Sequence, residues 1–184
     1  MIRKSILIVL PLVLAACGQS ETAPEPVETA APAKVEPGDV KVVVDANGLG
    51  AKGTDLFRFG APRREVDATV EKAFGSMPEK SSNEECGAGP MDFSQFGPLQ
   101  IAYMDGEFRG WFLREGAGVA TTDGVRPGVT TLESLKLERP VRQLDTALDG
   151  EFEYTTADYG TITGFAEDGT AVTALQAGLS CFFR

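Results

Sequence analysis

Residues 99–113 read LQIAYMDGEFRGWFL, and this stretch predicts the fold more directly than any other. Two strand-like runs, residues 99–104 and 107–113, flank the dipeptide Asp-Gly at positions 105 and 106. Asp-Gly is a favoured two-residue link of a β-hairpin, because both residues tolerate a positive φ. We therefore predict an antiparallel hairpin. The side chains expected in the core are Leu99, Ile101 and Tyr103, at every second position of the first strand, and Trp111 of the second.

The segment before the hairpin predicts a strand, a helix and a loop. Residues 40–44 are dense in β-branched side chains, which favour a strand. Pro62 suits the first turn of a helix that ends at Phe74, before the stop signal Gly75. Residues 76–96, rich in Gly, Pro and Ser, predict a long loop. The side chains on the apolar face of the helix are Val66, Val70, Ala73 and Phe74.

The segment after the hairpin repeats this order. Thr130 and Glu133 have the spacing of a capping box, and they predict a short helix that ends before Pro140. A turn is expected at Asp168-Gly169. The apolar residues of the helix are Leu132, Leu135 and Leu137. The further strands are expected at residues 151–155, 161–166 and 170–176, with residues 180–183 closing the sheet.

The two halves of this region, residues 40–115 and 116–184, look alike. Gly60 with Glu65 and Gly128 with Glu133 have the same spacing at the helix. In each half, strands and an Asp-Gly turn follow the helix. We predict a single α+β domain over residues 40–184, an antiparallel sheet with two short helices, built as a degenerate tandem repeat of helix followed by β-hairpin.

This organisation resembles two kinds of envelope module, the β-lactamase inhibitor protein family and the small lipoprotein subunits of the outer-membrane β-barrel assembly machinery. The resemblance covers the order of elements over residues 40–184. No residue motif is specific enough to assign a binding site to this chain from that likeness. Residues 85–90, Glu-Cys-Gly-Ala-Gly-Pro, also resemble a segment of small bacterial lipoproteins, a likeness that implies no activity.

Residues 1–16 predict a lipoprotein signal peptide. A basic start precedes an apolar run, residues 6–14, that is too short to span a bilayer. Residues 14–17, Leu-Ala-Ala-Cys, resemble the bacterial lipobox. The resemblance implies cleavage before Cys17, a diacylglycerol on its sulfur, and acylation of the new amino terminus by a fatty acid such as palmitate. The alternative is an ordinary secretory signal followed by a chance cysteine.

Residues 17–39 predict the lipidated cysteine and an extended tether. This segment is rich in Pro, Ala and Glu and cannot form a core. Gly18 stands where the best-known sorting rule places an aspartate in lipoproteins kept at the inner membrane. We therefore expect a lipid-anchored protein of the bacterial cell envelope, at the outer membrane and facing the periplasm, with the inner membrane as the alternative.

The charge and the histidine content exclude several classes of protein. The chain has 27 acidic and 17 basic residues, a net charge of −10, and no histidine. The signal peptide holds two basic residues and no acidic one, so the mature chain has 15 basic and 27 acidic residues, a charge of −12. Such acidity argues against binding to nucleic acid. The absence of histidine excludes Ser-His-Asp and Cys-His triads and His-ligated zinc.

The three cysteines divide into one lipidation site and one pair. With Cys17 assigned to lipid, Cys86 and Cys181 remain in an oxidising compartment, and two thiols there predict a disulfide. Two buried free thiols are the alternative.

The glycine-rich segment at residues 48–53, GLGAKG, matches the dinucleotide-binding pattern G-x-G-x-x-G. Phosphate binding requires a helix to begin within the glycine run, so that its free amides face the pyrophosphate. Here residues 54–60 read as a strand, and the helix begins only near Pro62. The segment therefore predicts a turn after a strand, and no cofactor is expected.

Acidic pairs and Ser-Lys pairs give no defined catalytic or metal site. The acidic pairs, for which a solvated surface is the preferred interpretation, are Glu84 with Glu85, Glu151 with Glu153, and Glu167 with Asp168. Residues 45–48, Asp-Ala-Asn-Gly, resemble the beginning of a calcium-binding loop, but the spacing and the closing glutamate of such a loop are absent. The Ser-Lys pairs, which lack the motif of a catalytic dyad, are Ser76 with Lys80 and Ser134 with Lys136.

Four arginines gather near the first helix and the hairpin of this acidic chain: Arg58, Arg63, Arg64 and Arg109. They could form a small binding spot, and an exposed helix face is the alternative interpretation.

These observations favour a non-enzymatic envelope lipoprotein that binds another protein or stabilises an assembly. Its expected contacts are the membrane, through the lipid on Cys17, and an unidentified envelope protein, for which the acidic surface favours a cationic one. Two alternatives stay open, an inhibitor of a secreted cationic enzyme such as lysozyme and an enzyme that uses carboxylates alone. A dinucleotide-dependent oxidoreductase is disfavoured by the position of the first helix.

Overall fold

The computed structural model describes residues 40–181 of the 184-residue chain. The expected signal peptide (residues 1–16), Cys17 and the tether lie outside the described residues, as do residues 182–184. The strands are β1 (Val42–Asp45), β2 (Gly48–Ala51), β3 (Phe57–Arg58), β4 (Glu79–Asn83), β5 (Met91–Phe96), β6 (Leu99–Met104), β7 (Glu107–Arg114), β8 (Val119–Thr121), β9 (Val141–Gln143), β10 (Glu151–Thr155), β11 (Thr161–Phe165) and β12 (Ala174–Gly178). The helices are α1 (Arg63–Phe74) and α2 (Leu132–Glu138).

The larger of the two sheets has eight strands, all paired antiparallel, in the order β4-β5-β6-β7-β12-β11-β10-β9. Each half of the domain supplies one helix and the four strands that follow it, α1 with β4 to β7 and α2 with β9 to β12. The last strands of the two halves pair with each other, from Arg114 opposite Ala174 to Gly110 opposite Gly178. The α+β class, with a helix followed by antiparallel strands in both halves, is confirmed.

The hairpin of residues 99–113 forms as predicted. Asp105 and Gly106 link β6 to β7 with φ of 55° and 76°, and glycine adopts such a positive φ at little cost. Leu99, Ile101 and Tyr103 are fully buried. A register shift between positions 102 and 103 adds a bulge to the pairing.

Matching backbone hydrogen bonds attach the segment before each helix to the beginning of the last strand of its half, at Phe108 in β7 and at Val172 just before β12. In the first half, the Gly60 N–H donates to the Phe108 carbonyl at 2.7 Å, and the Phe108 N–H donates to the Ala61 carbonyl at 2.8 Å. In the second half, the Gly128 N–H donates to the Val172 carbonyl at 2.8 Å, and the Val172 N–H donates to the Thr130 carbonyl at 3.0 Å. The glycines therefore correspond between the halves. The second half has one extra residue between its glycine and its helix, so Glu133 does not occupy the position that Glu65 has in α1.

This extra residue moves the start of α2. The N-cap is Thr131, whose hydroxyl accepts a hydrogen bond from the Ser134 amide at 3.1 Å, so the capping box predicted at Thr130 is wrong. The Thr130 hydroxyl instead accepts from the Arg126 amide at 3.0 Å. Leu137, predicted to be part of the apolar side, is 84 % exposed.

A second, four-stranded sheet, in the order β3-β2-β1-β8, departs from the single antiparallel sheet that we predicted. Its β1–β8 pair is parallel and joins the start of the first half to the start of the second. The glycine-rich residues 48–51 form β2 rather than the predicted turn. A Cβ on Gly48 would lie 2.0 Å from the Phe57 carbonyl oxygen on β3, so a glycine is needed where these two strands approach.

The predicted loop at residues 76–96 is wrong, because it contains β4 and β5. All five residues of β4 are exposed, so this edge strand carries no apolar alternation that the sequence could show. Strands β8 and β9 were likewise not predicted; each has three residues. Ser180 and Cys181 lie outside any strand, and residues 182 and 183 lie beyond the described part of the chain.

The main core lies between one face of the large sheet and the layer that contains the helices and β1. The Trp111 indole N–H donates to the Asp45 carbonyl at 2.8 Å and links the two layers. The core residues of the second layer include Val42 and Val44 of β1, Val66 and Val70 of α1, and Leu132 and Leu135 of α2. Among residues 40–181, neither helix is long and apolar enough to cross a membrane.

Candidate functional site

The outer face of the large sheet is the face turned away from the main core. Along each strand, side chains alternate between the core and this face. The outward positions of the three central strands include Phe112 and Arg114 on β7, Ala174 and Gln176 on β12, and Thr163 and Phe165 on β11.

A disulfide lies at one end of the outer face. The Sγ atoms of Cys86 and Cys181 are 2.00 Å apart, and the bond joins the loop after β4 to the segment after β12. Cys86 packs with Met91, Phe93 and Ala102 in a small cluster of its own. The disulfide therefore ties the two halves together on the side opposite the main core.

Toward the end of β12 that is farther from the disulfide, the outer face forms a groove of about 540 Å³, which we call the aromatic groove. The rings of Phe112 and Phe165 lie in it with their centroids 6.2 Å apart. The Arg114 guanidinium stands 5.4 Å from the centroid of the Phe112 ring. Leu148, 36 % exposed, lines the groove together with the carboxylates of Glu115 and Glu167 and the side chains of Thr173 and Ala174.

A polar cluster lies on the other side of the sheet, between α1 and strands β4 to β6. The carboxylate of Asp67, only 8 % exposed, accepts hydrogen bonds from the Tyr103 hydroxyl at 2.7 Å and the Ser94 hydroxyl at 3.0 Å. The Arg63 guanidinium lies 3.4 Å from the same carboxylate and 4.9 Å from the Tyr103 ring centroid. Lys80 approaches the carboxylate to 3.8 Å.

The polar cluster positions α1 rather than offering a reaction site. Burial, followed by the hydrogen bond to Asp67, raises the pKa of Tyr103 far above its ordinary value of 10. Tyr103 and Ser94 are both fully buried, so a substrate has no access to their hydroxyls. The sequence showed one trace of this cluster, an aspartate directly beside Val66 on the apolar face of α1.

The residues of the G-x-G-x-x-G segment do not have the geometry of a dinucleotide-binding loop. Residues 48–51 are strand and residues 52 and 53 are turn, whereas α1 begins only at Arg63. Within residues 40–181, no helix begins at these glycines, and this segment does not provide the free amides that would bind a phosphate.

In the turn at residues 45–48, neighbouring groups already bind the carboxylate of Asp45. Asp45 accepts from the Asn47 amide at 2.8 Å and forms an ion pair with Arg58 at 2.5 Å. Among residues 40–181, no group of three or more acidic or cysteine side chains is placed to hold a metal ion.

The acidic pairs singled out in the sequence are neighbours along a strand or loop, and those on β10 have different partners. Glu151 is buried and accepts from the Thr146 hydroxyl at 2.5 Å, whereas Glu153 forms an ion pair with Arg142 at 2.5 Å. Glu84 and Glu85 are exposed on the loop after β4.

Asp168 has a structural role in a turn. Its carboxylate accepts hydrogen bonds from the Thr170 hydroxyl at 2.6 Å and the Thr170 amide at 2.9 Å, and these bonds lower the pKa of Asp168. The neighbouring Glu167 is exposed and borders the aromatic groove.

The four arginines are divided among different partners. Arg58 pairs with Asp45, Arg63 belongs to the polar cluster, and Arg109 pairs with Glu107 at 2.7 Å. Arg64 is exposed on α1.

The Ser-Lys pairs are also engaged elsewhere. Lys80 contributes to the polar cluster, and the Ser134 hydroxyl donates to the Thr131 carbonyl at 2.8 Å in the first turn of α2. Ser76 and Lys136 are exposed.

Comparison with known proteins found no matching family model, no matching curated protein and no matching solved structure. The likeness to the β-lactamase inhibitor family and to the assembly lipoproteins therefore depends on the order of elements alone. The aromatic groove has no local signal in the sequence, since Phe112 and Phe165 lie on strands from different halves of the domain.

Proposed function

We propose that this protein is a lipid-anchored protein of the bacterial envelope whose α+β domain binds another protein through the aromatic groove. The anchor and the location are inferred from residues 1–39, and the binding role is inferred from the described domain. The single observation that carries the binding role is the pair of Phe112 and Phe165 rings beside Arg114 on the outer face of the sheet.

The chemistry of the aromatic groove suits a protein partner. Aromatic and arginine side chains carry much of the binding energy of protein interfaces, because they bury a large area and still offer polar contacts. Phe112 and Phe165 are both partly exposed, and Leu148 adds a further exposed apolar side chain at the same place. A volume of about 540 Å³ accommodates a few side chains of a partner loop.

The groove is also built on a rigid support. It spans three adjacent strands, β7, β12 and β11, whose side chains are held at fixed spacing by the sheet. The Cys86–Cys181 disulfide fixes the segment after β12, at the opposite end of that strand from Ala174. A preformed surface loses little conformational entropy when it binds, and this favours recognition of a partner.

The charge around the groove favours a cationic partner. Arg114 is accompanied by the carboxylates of Glu115 and Glu167 in the groove and by Asp149 beside it. The whole chain has a net charge of −10, which would attract a cationic protein over a distance of about one Debye length. An inhibitor of a secreted cationic enzyme such as lysozyme is the sharper form of this proposal.

Photo-crosslinking in intact cells tests the proposed site. Benzoylphenylalanine placed at Phe165 or at Leu148 should yield an adduct with one defined envelope protein. The matched control is Leu137 on α2, which is apolar and 84 % exposed but belongs to the layer on the other face of the large sheet. An adduct pattern at Phe165 equal to that at Leu137 would contradict the proposal.

Charge reversal then tests the chemistry of the groove. Glu167→Lys should reduce the adduct at Leu148 at least tenfold, because it places an ammonium group where the cationic partner meets a carboxylate. Glu133→Lys, which makes the same change of charge on α2, should leave the adduct unchanged. Micromolar concentrations of the isolated domain should also slow lysozyme if that enzyme is the class of target. Unchanged lysozyme activity would exclude the inhibitor form alone, and unchanged adducts in Glu167→Lys would exclude the proposed role of the groove.

A further inference from the structure

A second groove lies on the outer face of the large sheet, between the aromatic groove and the disulfide. It has a volume of about 540 Å³. Its lining includes Thr161 and Thr163 of β11, Gln176 of β12 and Glu153 of β10. The segment that follows β12 and leads to the disulfide borders its far end. We call it the threonine groove.

The two grooves occupy successive positions along the same two strands. On β11, Phe165 lines the aromatic groove, and the next two outward residues, Thr163 and Thr161, line the threonine groove. On β12, Ala174 lines the aromatic groove and Gln176 lines the threonine groove. Successive outward residues of a strand are about 7 Å apart, because each residue advances the strand by about 3.3–3.4 Å. The two grooves therefore form one track along the sheet.

The side chain of Gln176 holds a buried acceptor that lacks a donor. Gln176 is 4 % exposed, and its Oε1 atom accepts no hydrogen bond from residues 40–181. An unpaired buried acceptor is unfavourable, and most such groups in folded proteins have a partner. Because Gln176 lines the threonine groove, rotation of its terminal amide turns Oε1 toward a donor bound there. A ligand in this groove can thus supply the missing hydrogen bond.

The other groups of the threonine groove favour a neutral polypeptide donor. The lining residues all lie between positions 87 and 180, and Glu153 is the charged one among them. Glu153 already forms an ion pair with Arg142 at 2.5 Å, so the groove offers no unpaired charge to a metal ion or an anion. The same lining has no aromatic ring for a sugar to stack on. Backbone amides and neutral side chains of a polypeptide suit these groups best.

We propose that the track binds one extended segment of the partner protein, an inference that rests on the function proposed above. An extended polypeptide presents every second side chain on one face, about 7 Å apart, and this is the spacing of the track. A basic or apolar side chain of the segment occupies the aromatic groove, beside the carboxylate of Glu167. Two residues further along, the segment donates a hydrogen bond to Oε1 of Gln176. Alternate residues of the segment therefore determine which partner is recognised.

Photo-crosslinking at both ends of the track tests this geometry. Benzoylphenylalanine at Phe165 marks the aromatic groove, and the same group at the exposed Thr161 marks the far part of the threonine groove. In intact cells that produce the full chain, both positions should form adducts with the same protein. Mass spectrometry should place the two crosslinks in one segment of that protein, within about six residues of each other.

Replacement of the buried acceptor separates binding from folding. Gln176→Leu removes an acceptor that has no donor, so the urea midpoint of the full mature chain should stay equal or rise. The adduct from Thr161 should nevertheless fall at least fivefold. The matched control is Gln143→Leu, because Gln143 is exposed on β9 and lies opposite Phe152, whose side chain belongs to the main core. This control should leave the adduct unchanged.

The remaining outcomes distinguish the two proposals. Absence of an adduct at Phe165 would contradict the function proposed for the aromatic groove and the track with it. An adduct at Phe165 with none at Thr161, or crosslinks in two distant segments, would overturn the track alone. An adduct of Thr161 with a glycan or with a second copy of this chain would also overturn it. A lower urea midpoint in Gln176→Leu would assign the Gln176 amide to the fold and contradict its role in binding.

Discussion

Removal of one hydroxyl in the polar cluster should have a measurable effect on stability. Tyr103→Phe keeps the ring and its contact with Arg63, but it removes the hydroxyl that donates to Asp67 at 2.7 Å. The Asp67 oxygen that accepts this bond is then left in a buried setting without that donor. Hydrogen bonds to charged groups contribute about 1.5–3 kcal/mol, so we expect the free energy of unfolding to fall by about 2–3 kcal/mol.

A double-mutant cycle isolates the pair. Asp67→Ala removes the acceptor, and the combined variant should be less destabilised than the sum of the two single variants by about 1.5–2.5 kcal/mol. Urea unfolding can be followed by fluorescence of Trp111, which is the only tryptophan and is buried. The control is Tyr159→Phe, because Tyr159 is 92 % exposed and its change should stay within about 0.5 kcal/mol. A loss in Tyr103→Phe no larger than this control, or a coupling near zero, would refute the assigned role of the cluster.

The same buried hydroxyl predicts a loss of stability at alkaline pH. Burial raises the pKa of both Tyr103 and Tyr154 above the ordinary value of 10. The next cause is the hydrogen bond to Asp67 for Tyr103 and the negative charge of Asp123 for Tyr154. Above about pH 10 the unfolded chain loses these protons while the folded chain keeps them, so the free energy of unfolding falls as the pH rises. The slope is about 1.4 kcal/mol per pH unit for each tyrosine. Tyr103→Phe should remove its share of the slope, and an unchanged slope would contradict this linkage.

Three further changes test the fold. Reduction of the Cys86–Cys181 bond, which spans 95 residues, should lower the free energy of unfolding by about 4–5 kcal/mol in the chain-entropy description, and equal urea midpoints with and without reductant would contradict this. Gly48→Ala should cost about 1–3 kcal/mol, because its methyl group meets a carbonyl of β3; an unchanged melting temperature would show that β2 and β3 do not approach so closely. Thr131→Ala should lower the free energy of unfolding by about 1 kcal/mol, because it removes the N-cap of α2. A larger loss in Glu133→Ala would contradict this assignment and support a capping box at Thr130 and Glu133.

Elements with a strong local signal could be predicted from the sequence. The hairpin at residues 99–113 combines an Asp-Gly turn with alternating side chains, and α1 lies between Pro62 and Gly75 with apolar residues at helical spacing. The disulfide followed from the number of cysteines, and the two-half organisation followed from the repeated order of a helix, strands and an Asp-Gly turn. The candidate site was not predictable in this way, since its two phenylalanine rings come from β7 and β11.

The amino-acid sequence by itself determined the class of the domain, the central hairpin and the first helix, because their turn, capping and periodicity signals lie within about fifteen residues. Only the tertiary structure decided that the glycine-rich residues 48–51 form a strand, that the uniformly exposed β4 extends the large sheet, and that Asp67 meets Tyr103. Each of these depends on a partner supplied by another element. A strand without apolar alternation or a buried carboxylate becomes favourable only when that partner provides the hydrogen bonds.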